Sequence, residues 1–304
     1  MTDIIIIGSG PAGLTAAIYA QRAGLQALVI EKQPMSGGQI VNTADVDNYP
    51  GMPGIGGFEL GMSFHDHAQK LGAAFVTEEV RAIESVDKSE KVVVTAKERY
   101  SCRAIVLAMG ASYRMLGVPG ERELRGMGVS YCATCDGAFF RGKTVAVIGG
   151  GDVALGDALF LARGCEKVYL IHRRDTFRGA GSLQEKVFAT PNIEIIYDSV
   201  AESIVGDGMV QMLQIINKKT MKKSDIFVQG VFVAVGMEPN TQLVRALVDC
   251  DAGGYVCADE TCKTSIPGIY AAGDLRTKQL RQVVTAAADG ANAIASAEMY
   301  LQEK

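Results

Sequence analysis

The sequence predicts an α/β fold that contains two copies of one βαβ unit, with the second copy inserted into the first. Three observations lead to this prediction. A glycine-rich turn follows a β-branched run twice, a polar residue ends the next strand at the same distance from each turn, and an alanine-rich helix comes last. A length of 304 residues is enough for two domains, each with its own core.

The first copy lies at the N-terminus. Ile4–Ile7 suits a strand buried on both faces, and residues 14–22 have the composition of a helix. Between them, Gly8–Gly13 reads G-x-G-x-x-G, whose glycines let the backbone approach a pyrophosphate at the helix N-terminus. The next strand, Leu28–Ile30, ends at Glu31, 23 residues after the first glycine, where a carboxylate can accept hydrogen bonds from a ribose diol. This arrangement predicts a dinucleotide site rather than an ordinary glycine loop.

The second copy lies in mid-chain. Val145–Ile148 is predicted to be a strand, and Gly149–Ala154 reads G-x-G-x-x-A before a second helix. The strand that follows ends at His172, again 23 residues after the first glycine of its turn. Arginine forks suit phosphate oxygens, so the three arginines that come next predict NADP(H) in this unit. The alternative is a basic surface turn at a strand end. The arginines are Arg173, Arg174 and Arg178.

The remaining segments interleave the two copies. Strands are expected near Lys91–Thr95 and Ala104–Ala108, after an irregular stretch at 45–57, and the last helix from about Val283 to Gln302. Gly117–Gly120 is predicted to be a linker and 236–240 a second crossing.

The predicted α/β fold therefore consists of two Rossmann-like domains, each with a three-layer ββα arrangement, in which two layers are sheets and one is helical. The outer domain comprises residues 1–116 and 241–304, and the inserted domain comprises residues 117–240.

A pair of cysteines, Cys132 and Cys135, stands before the first strand of the second copy and is followed at once by Asp136. A metal site would need further ligands, but the nearest cysteines, Cys102 and Cys165, are far away in sequence and the chain has three histidines. A purely structural disulfide is a poor explanation for this pair of cysteines, because closing so short a loop removes little entropy from the unfolded chain. A dithiol that exchanges electrons is favoured. Such a protein needs a carrier for a hydride's two electrons, which predicts FAD in the first copy.

Composition argues against several other functions. A net charge of −4 and a pI near 5.5 disfavour a nucleic-acid or anionic-membrane surface. No apolar run approaches the ~18 residues that a membrane span needs, and the N-terminus lacks the basic region of a signal peptide. With seven cysteines and no export signal, we expect reduced thiols and a cytoplasmic protein. His65 and His67 are two apart on a helix and point to different faces, which argues against a metal there.

Taken together, these motifs resemble one family. The chain is similar to the low-molecular-weight thioredoxin reductases over nearly all of its length, and its Cys-Ala-Thr-Cys-Asp-Gly segment is highly specific in this context. The resemblance implies FAD in the outer domain, NADPH in the inserted domain, thioredoxin or a thioredoxin-like protein as the partner, and a homodimer. The segments that carry it are Gly8–Gly13, Gly37–Gln39, Asp47–Gly51, Cys132–Gly137, Gly149–Ala154, His172–Arg174 with Arg178, Gly273–Asp274 and Arg281–Ala287.

The resemblance also implies the site residues, and no metal among them. Cys135 is expected to face the flavin, Cys132 to attack the partner's disulfide, and Asp136 to act as acid and base or, alternatively, as a turn or cap residue. The residues expected to bind FAD are Gly8, Gly10, Pro11, Ala12, Gly13, Glu31, Lys32, Gly38, Gln39, Asn48, Val80, Gly110, Gly273, Asp274, Arg281, Gln282 and Val283. Those expected to bind NADPH are Gly149, Gly151, Asp152, Val153, Ala154, His172, Arg173, Arg174 and Arg178.

The implied reaction passes a hydride from NADPH to FAD, then electrons to the Cys132–Cys135 disulfide, and finally to a disulfide of thioredoxin. A dithiol stacked on the flavin cannot also meet a protein substrate, so we expect the inserted domain to rotate on its two crossings. Glycine and proline near 117–120 and 236–239 suit such hinges.

Three positions depart from the family pattern. Val153 stands where a small hydroxyl residue is usual, Gly156–Asp157 replaces two glutamates, and Met109 stands where threonine is common. The first two border the expected nucleotide path, so a ferredoxin-dependent flavin thioredoxin reductase and an FAD-dependent dithiol oxidase stay open as alternatives, although the intact second glycine turn favours NADPH. A non-catalytic FAD redox sensor is a third alternative, and it would not require Asp136.

Overall fold

The structure, a computed structural model, describes residues 1–43, 46–84 and 90–302. The chain forms two compact units. The first comprises Met1–Ser112 and Glu238–Lys304, and the second comprises Tyr113–Met237. One unit is thus inserted into the other. The start of the predicted irregular stretch, at Asp45, lies outside the described residues.

The secondary structure of the described residues alternates strands and helices in both units. The α-helices are α1 (Pro11–Arg22), α2 (Gly57–Lys70), α3 (Ala133–Asp136), α4 (Asp152–Ala162), α5 (Gly181–Ala189) and α6 (Val283–Gln302). The strands of the first unit are β1 (Thr2–Ile7), β2 (Ala27–Glu31), β3 (Ala74–Thr77), β4 (Val80–Glu84), β5 (Lys91–Thr95), β6 (Arg99–Leu107) and β17 (Ile269–Ala271). The strands of the second unit are β8 (Val129–Ser130), β9 (Thr144–Gly149), β10 (Lys167–Ile171), β11 (Ile193–Ile196), β12 (Ser199–Gly206), β13 (Val210–Asn217), β14 (Lys223–Phe227) and β15 (Gly230–Ala234), and the chain crosses at β7 (Ala111–Tyr113) and β16 (Met237–Pro239), which pair with each other.

The first unit is built on a mixed sheet with the strand order β3-β2-β1-β6-β5-β4, and β17 also pairs with β6. β1 pairs in parallel with β2 and β6, and β17 is parallel to β6. Ile4, Ile5 and Ile6 are fully buried, because this central strand contacts side chains on both faces of the sheet. The carboxyl ends of β1 and β17 lie at the same edge, which brings the turn after Ile7 and the segment after Ala271 to one place.

The helices α1 and α6 pack together on one face of this sheet, in a core that includes Ile4, Ile6 and Val106. Their approach is close, since a Cβ at Gly290 would lie 2.2 Å from the carbonyl oxygen of Ala12. Small side chains make this contact possible, which explains the alanine-rich composition of α6. The prediction of a final helix docked against a sheet is confirmed.

The second unit has three layers. Its central parallel sheet has the order β11-β10-β9-β15-β8. One face packs against α4 through a core that contains Val145, Val147 and Leu155. The other face, with Ala146 and Ile148, packs against the antiparallel sheet β12-β13-β14. The predicted ββα layering is therefore present.

The segment predicted to be a linker, residues 117–120, is packed inside the second unit. Gly120 has φ +82°, and a Cβ there would lie 1.8 Å from the carbonyl oxygen of Ile204. The carbonyl of Pro119 also accepts a hydrogen bond from Ile204 N–H at 2.9 Å. The compact unit already begins at Tyr113 and ends at Met237, whereas the sequence placed its limits at 117 and 240.

Two further observations concern the chain as a whole. None of the helices in the described ranges is both long and apolar enough to cross a bilayer. Outside the C-x-x-C pair the cysteines are free thiols, of which Cys102, Cys165 and Cys262 are buried, Cys250 is half-buried and Cys257 is exposed.

Candidate functional site

The first glycine turn joins β1 to α1 and is closed by backbone contacts. Gly8 has φ +103°, a conformation that favours glycine. A Cβ at Gly13 would lie only 2.0 Å from the carbonyl oxygen of Gly8, so the last glycine lets the helix approach the strand. At Gly10 a Cβ would meet nothing closer than Gly38 Cα at 3.9 Å. The backbone is therefore open to a ligand at the middle glycine.

Glu31 connects this turn to the loop that follows β2. Its Oε2 accepts hydrogen bonds from Ser9 N–H at 2.9 Å and from Ser9 Oγ–H at 3.0 Å. Its Oε1 accepts a hydrogen bond from Gln33 N–H at 2.9 Å. Because each carboxylate oxygen has two lone pairs, Glu31 keeps acceptor capacity for a ligand hydroxyl.

The segment Gly273–Asp274 comes to the same edge of the sheet. A Cβ at Gly273 would lie 2.9 Å from Ala12 Cβ, and Gly273 N–H donates to Asp289 Oδ2 at 2.9 Å. Asp274 Oδ1 is buried and has no hydrogen-bond partner among the described residues. Burial raises the pKa of this carboxyl, and Lys278 and Arg281 oppose the shift. This buried acceptor is therefore open to a donor from a ligand.

Four other predicted FAD residues form pairs in this unit. The Gln39 amide donates to the carbonyl of Ala111, and Asn48 Nδ2 donates to Gln282 Oε1 at 2.9 Å. Arg281 Nε lies 3.5 Å from the carbonyl oxygen of Asp274, and its guanidinium stacks 4.1 Å from the centre of the Tyr255 ring.

The remaining predicted FAD residues are less closely tied to the turn. Pro11 is the first residue of α1, Val283 is the first residue of α6, and Gly110 has φ +66° with open space beside it. Lys32 is exposed, and Val80 packs against the core cluster that contains Ile5 and Ile7.

The second glycine turn joins β9 to α4. A Cβ at Gly149 would lie 2.4 Å from the carbonyl oxygen of Ala234 and 2.6 Å from Ala154 Cβ, whereas Gly151 has open space beside it. Asp152 Oδ1 accepts a hydrogen bond from Ala180 N–H at 2.7 Å. The side chain of Val153 is 65% exposed. The middle of this turn is therefore also open to a ligand.

Residues 172–178, here called the arginine loop, follow β10. Arg173, Arg174 and Arg178 are exposed, and Arg178 N–H donates to the carbonyl of Gly150 at 2.8 Å. His172 differs from them, because its side chain is buried. Burial lowers the pKa of His172, although hydrogen bonds to backbone carbonyls favour its charged form. The predicted basic cluster thus consists of three exposed arginines and one buried imidazole.

The two cysteines form a disulfide between Cys132 and Cys135 in the second unit. Cys132 caps the N-terminus of the short helix α3, and Cys135 lies within that helix. The backbone N–H groups of Cys135 and Asp136 both donate to the carbonyl of Cys132, at 3.3 and 3.1 Å. Both cysteines are half-buried. The disulfide is therefore partly accessible to other groups.

Asp136 is joined to the disulfide by a serine that sequence reasoning missed. Ser130 Oγ–H donates to Asp136 Oδ2 at 2.6 Å and accepts a hydrogen bond from Cys132 N–H at 3.1 Å. Burial raises the pKa of the Asp136 carboxyl, and the hydrogen bond from Ser130 opposes that shift. Asp136 can therefore hold a proton at a higher pH than an exposed carboxyl does. The only sequence signal for Ser130 was its place at the end of a strand, two residues before Cys132.

Glu121 and Tyr131, which sequence reasoning also missed, hold the segment before the disulfide in place. Glu121 is fully buried and accepts hydrogen bonds from the N–H groups of Leu116 and Gly117, at 2.9 and 2.7 Å. It also accepts one from the Tyr131 hydroxyl at 2.8 Å. Tyr131 in turn stacks on Tyr113, with ring centres 5.2 Å apart. The residue next to Cys132 is thereby fixed against the segment 113–117.

In the described ranges, no group of three or more histidine, cysteine or carboxylate side chains is arranged to hold a metal. Cys102 is fully buried, and burial raises the pKa of its thiol to about 12. Cys165 is also buried and its thiol donates to the carbonyl of Phe140. His65 packs against Phe75 with ring centres 4.5 Å apart, while His67 is exposed.

Known proteins resemble this chain over its whole length. The family model described as pyridine nucleotide-disulphide oxidoreductase matches residues 2–290. The thioredoxin reductases of Listeria innocua and Listeria monocytogenes are 43% and 44% identical, each over 303 residues that cover 99% of this chain and 94% of the relative. The crystal structure of thioredoxin reductase from Streptococcus pyogenes is 44% identical, has a TM-score of 0.94, and is matched over 100% of this chain and 99% of that one. The glycine turns, the disulfide and these full-length similarities together establish that the chain belongs to the pyridine nucleotide-disulphide oxidoreductases and, within them, to the low-molecular-weight thioredoxin reductase family.

Proposed function

We propose that the chain is a thioredoxin-disulfide reductase that binds FAD in its first unit and NADPH in its second. The observation that carries the proposal is the Cys132–Cys135 disulfide beside a half-buried carboxyl, in the same unit as a glycine turn with exposed arginines. The Listeria relatives are named thioredoxin reductases, which supports a thioredoxin-like protein as the partner.

The residues of the first unit fit FAD. Gly10 leaves the backbone open where a pyrophosphate would meet the N-terminus of α1, and Glu31 Oε1 keeps a lone pair for a ribose hydroxyl. A hydroxyl of the FAD chain would supply the donor that the buried Asp274 Oδ1 lacks. When bound, FAD supplies a carrier that takes two electrons from a nicotinamide and delivers them to a disulfide.

The residues of the second unit fit NADPH. Gly151 is open at the N-terminus of α4, where a pyrophosphate is favoured by free backbone N–H groups and the helix dipole. Arg173, Arg174 and Arg178 are exposed beside that turn, and their guanidinium groups can bind the 2′-phosphate that distinguishes NADPH from NADH. The exposed Val153 adds an apolar side chain at this edge without closing it.

The dithiol completes the reaction by two exchange steps. The Cys132 thiolate attacks one sulfur of the partner's disulfide, which breaks that S–S bond, forms a mixed disulfide and leaves the partner's other sulfur to take a proton. The Cys135 thiolate then attacks Cys132 Sγ, which restores the Cys132–Cys135 bond and releases the second partner thiol after protonation. Two electrons and two protons thus reach the partner.

Asp136 is proposed to hold and transfer a proton in these steps. Its carboxyl has a raised pKa, and through Ser130 it is joined to the backbone of the residue that attacks the partner. A homodimer, a cytoplasmic location and a rotation of the inserted unit between half-reactions are further parts of the proposal, supported by the family resemblance. The segments β7 and β16 are the places where such a rotation would act.

The proposal is tested by mixing the purified protein anaerobically with NADPH, NADH or reduced ferredoxin, and then adding oxidised thioredoxin. We expect NADPH to bleach the flavin fastest and thioredoxin to restore its colour. A Cys132→Ser/Cys135→Ser double variant is the matched control, and it should bleach but not respond to thioredoxin.

Other outcomes would separate the alternatives. Bleaching by ferredoxin alone would identify the ferredoxin-dependent enzyme. A flavin that thioredoxin reoxidises equally well without the cysteines would refute the proposed route. Protein purified without any flavin, and unable to bind it, would refute the cofactor assignment.

A further inference from the structure

We propose that His172 is a positioning residue, which holds the second glycine turn and the arginine loop in one fixed relation and does not itself bind the nucleotide phosphate. This inference rests on the proposed use of NADPH. It assigns different roles to four residues that the sequence treats as one basic cluster, because the histidine and the three arginines are placed differently.

The first observation is that His172 and the three arginines differ in how far they are exposed to solvent. The side chain of His172 is 4% exposed, whereas Arg173, Arg174 and Arg178 are exposed. The ring packs against Phe177, itself buried, with ring centres 5.3 Å apart. An imidazole in this position cannot reach a phosphate in solvent without leaving its packing.

The second observation is that both ring nitrogens face backbone carbonyl oxygens, to one of which the neutral ring donates a hydrogen bond. Nδ1 lies 3.1 Å from the carbonyl oxygen of Gly149, in the glycine turn, and Nε2 lies 3.0 Å from the carbonyl oxygen of Thr176, in the arginine loop. The ring therefore spans the two segments that the nucleotide must contact together. Because each nitrogen is buried against a carbonyl oxygen, neither can reach a ligand.

The third observation is the close fit of the ring against the turn. A Cβ at Gly150 would lie 2.1 Å from His172 Nδ1. Glycine at position 150 is thus required by the histidine, although the glycine-rich pattern leaves that position variable. The carbonyl of Gly150 also accepts a hydrogen bond from Arg178 N–H at 2.8 Å, which fastens the far end of the arginine loop to the same turn.

These contacts predict which property a substitution changes. Without the ring, the turn loses its contacts at Gly149 and Gly150, which weakens the binding of any nucleotide that uses the turn for its pyrophosphate, with or without a 2′-phosphate. Removing a phosphate ligand weakens only the nucleotide that carries the 2′-phosphate. The ratio of the affinities for NADP⁺ and NAD⁺ therefore separates a positioning role from a binding role.

The experiment measures calorimetric binding of NADP⁺ and of NAD⁺ to the oxidised, flavin-loaded protein. For His172→Ala we expect both affinities to fall by about tenfold, as for the loss of buried hydrogen bonds, with their ratio unchanged. His172→Gln should recover part of the loss, because its amide N–H can still donate to one of the carbonyls. Arg173→Ala is the comparison variant, and it should lower the affinity for NADP⁺ alone.

Each other result has a definite meaning. A His172→Ala protein that loses NADP⁺ affinity selectively, as Arg173→Ala does, would overturn the inference and make His172 a phosphate ligand. Unchanged affinity for both nucleotides would overturn it as well. If His172→Ala does not fold, Gly150→Ala tests the same contact with the histidine in place, and it must weaken both nucleotides equally. Wild-type protein that binds neither nucleotide would instead overturn the proposed function.

Discussion

The first glycine turn is closed by a side chain that accepts hydrogen bonds, whereas the second is closed by one that lies between two acceptors. Glu31 accepts from the N–H groups of Ser9 and Gln33, and His172 faces the carbonyls of Gly149 and Thr176. Both residues join their turn to the loop after the second strand. The position thus has the same structural role in both units, while the neighbouring side chains differ: exposed Lys32 follows Glu31, and exposed arginines follow His172.

The two turns also differ in how closely the helix approaches the strand. In the first, Gly13 has no room for a Cβ, because the carbonyl oxygen of Gly8 would lie 2.0 Å away. In the second, the equivalent residue is Ala154, and its methyl group excludes any side chain at Gly149. The last position of the glycine motif must therefore be glycine in the first unit, whereas the second unit accommodates alanine there.

The largest effect is expected from Asp136→Asn, because in the second unit Asp136 lies beside the Cys132–Cys135 disulfide, to which no residue of the first glycine turn is linked in the described chain. General acid–base groups contribute about a hundredfold or more to rate, so reduction of thioredoxin should slow by at least about a hundredfold. Since burial raises the pKa of Asp136, the wild-type rate should show an inflection at a pH above the ordinary range of an aspartate, and the variant should lack it. Stopped-flow reoxidation of the reduced flavin by thioredoxin, measured across pH, would show both. A variant with the wild-type rate and pH profile would leave Asp136 only its role as a turn or cap residue.

Gly13→Ala should have the next largest effect. The added Cβ meets backbone atoms that cannot rotate away, and overpacking of this kind costs about 3 kcal/mol. We expect most of the flavin to be lost, as measured by the ratio of flavin to protein after gel filtration. Ala154→Gly is the matched change in the second unit and should keep the flavin. Equal flavin content in the two variants would contradict the difference between the turns.

A smaller loss is expected from Glu31→Ala. The substitution leaves the buried N–H group of Ser9 without its acceptor, at a cost of about 1–3 kcal/mol, whereas the exposed N–H group of Gln33 can bond to water. Affinity for FAD, measured by titrating the apoprotein, should fall by about tenfold or more. Glu59→Ala removes an exposed acid from the first turn of α2 and should leave FAD binding unchanged. If the two substitutions have the same effect, Glu31 does not close the turn as described.

The smallest effect concerns Asp157, one of the positions that depart from the family pattern. Burial raises the pKa of this carboxyl from 3.8 to about 7, so the folded protein favours its protonated form. The stability that this provides is complete below the unfolded pKa and is lost as the pH rises through about 7. Asp157→Asn should therefore raise the melting temperature near pH 8, by the equivalent of about 1 kcal/mol, and change little near pH 4. A shift of equal size at both pH values would show that titration is not the cause.

Much of the fold followed from local pattern. The two glycine turns, the ends of their second strands and the alanine-rich helix α6 were predicted where the structure has them, because strand, turn and helix signals lie close together in sequence. The limits of the inserted unit were harder to place. Gly117–Gly120 has the composition of a flexible linker, but Gly120 is a glycine because Ile204 packs against it.

The site was predicted less completely than the fold. The cysteines, Asp136 and the arginines are predicted as site residues from the sequence, whereas the contacts of Ser130 and Glu121 and the burial of His172 are not. Each of these three depends on contacts with residues brought near by folding, such as Tyr131 against Glu121. A sequence pattern reports the type of a residue, and only the packing decides which of its atoms are free.

Backbone hydrogen bonds hold the short helix α3 in addition to the sulfur–sulfur bond that joins its N-cap to its third residue. Two residues separate the cysteines, and the N–H groups of Cys135 and Asp136 hold the segment through the carbonyl of Cys132. Opening the bond frees a very short loop, so it adds little disorder to the unfolded chain. The protein can therefore pass through its oxidised and reduced forms many times without its architecture having to be rebuilt at each turnover.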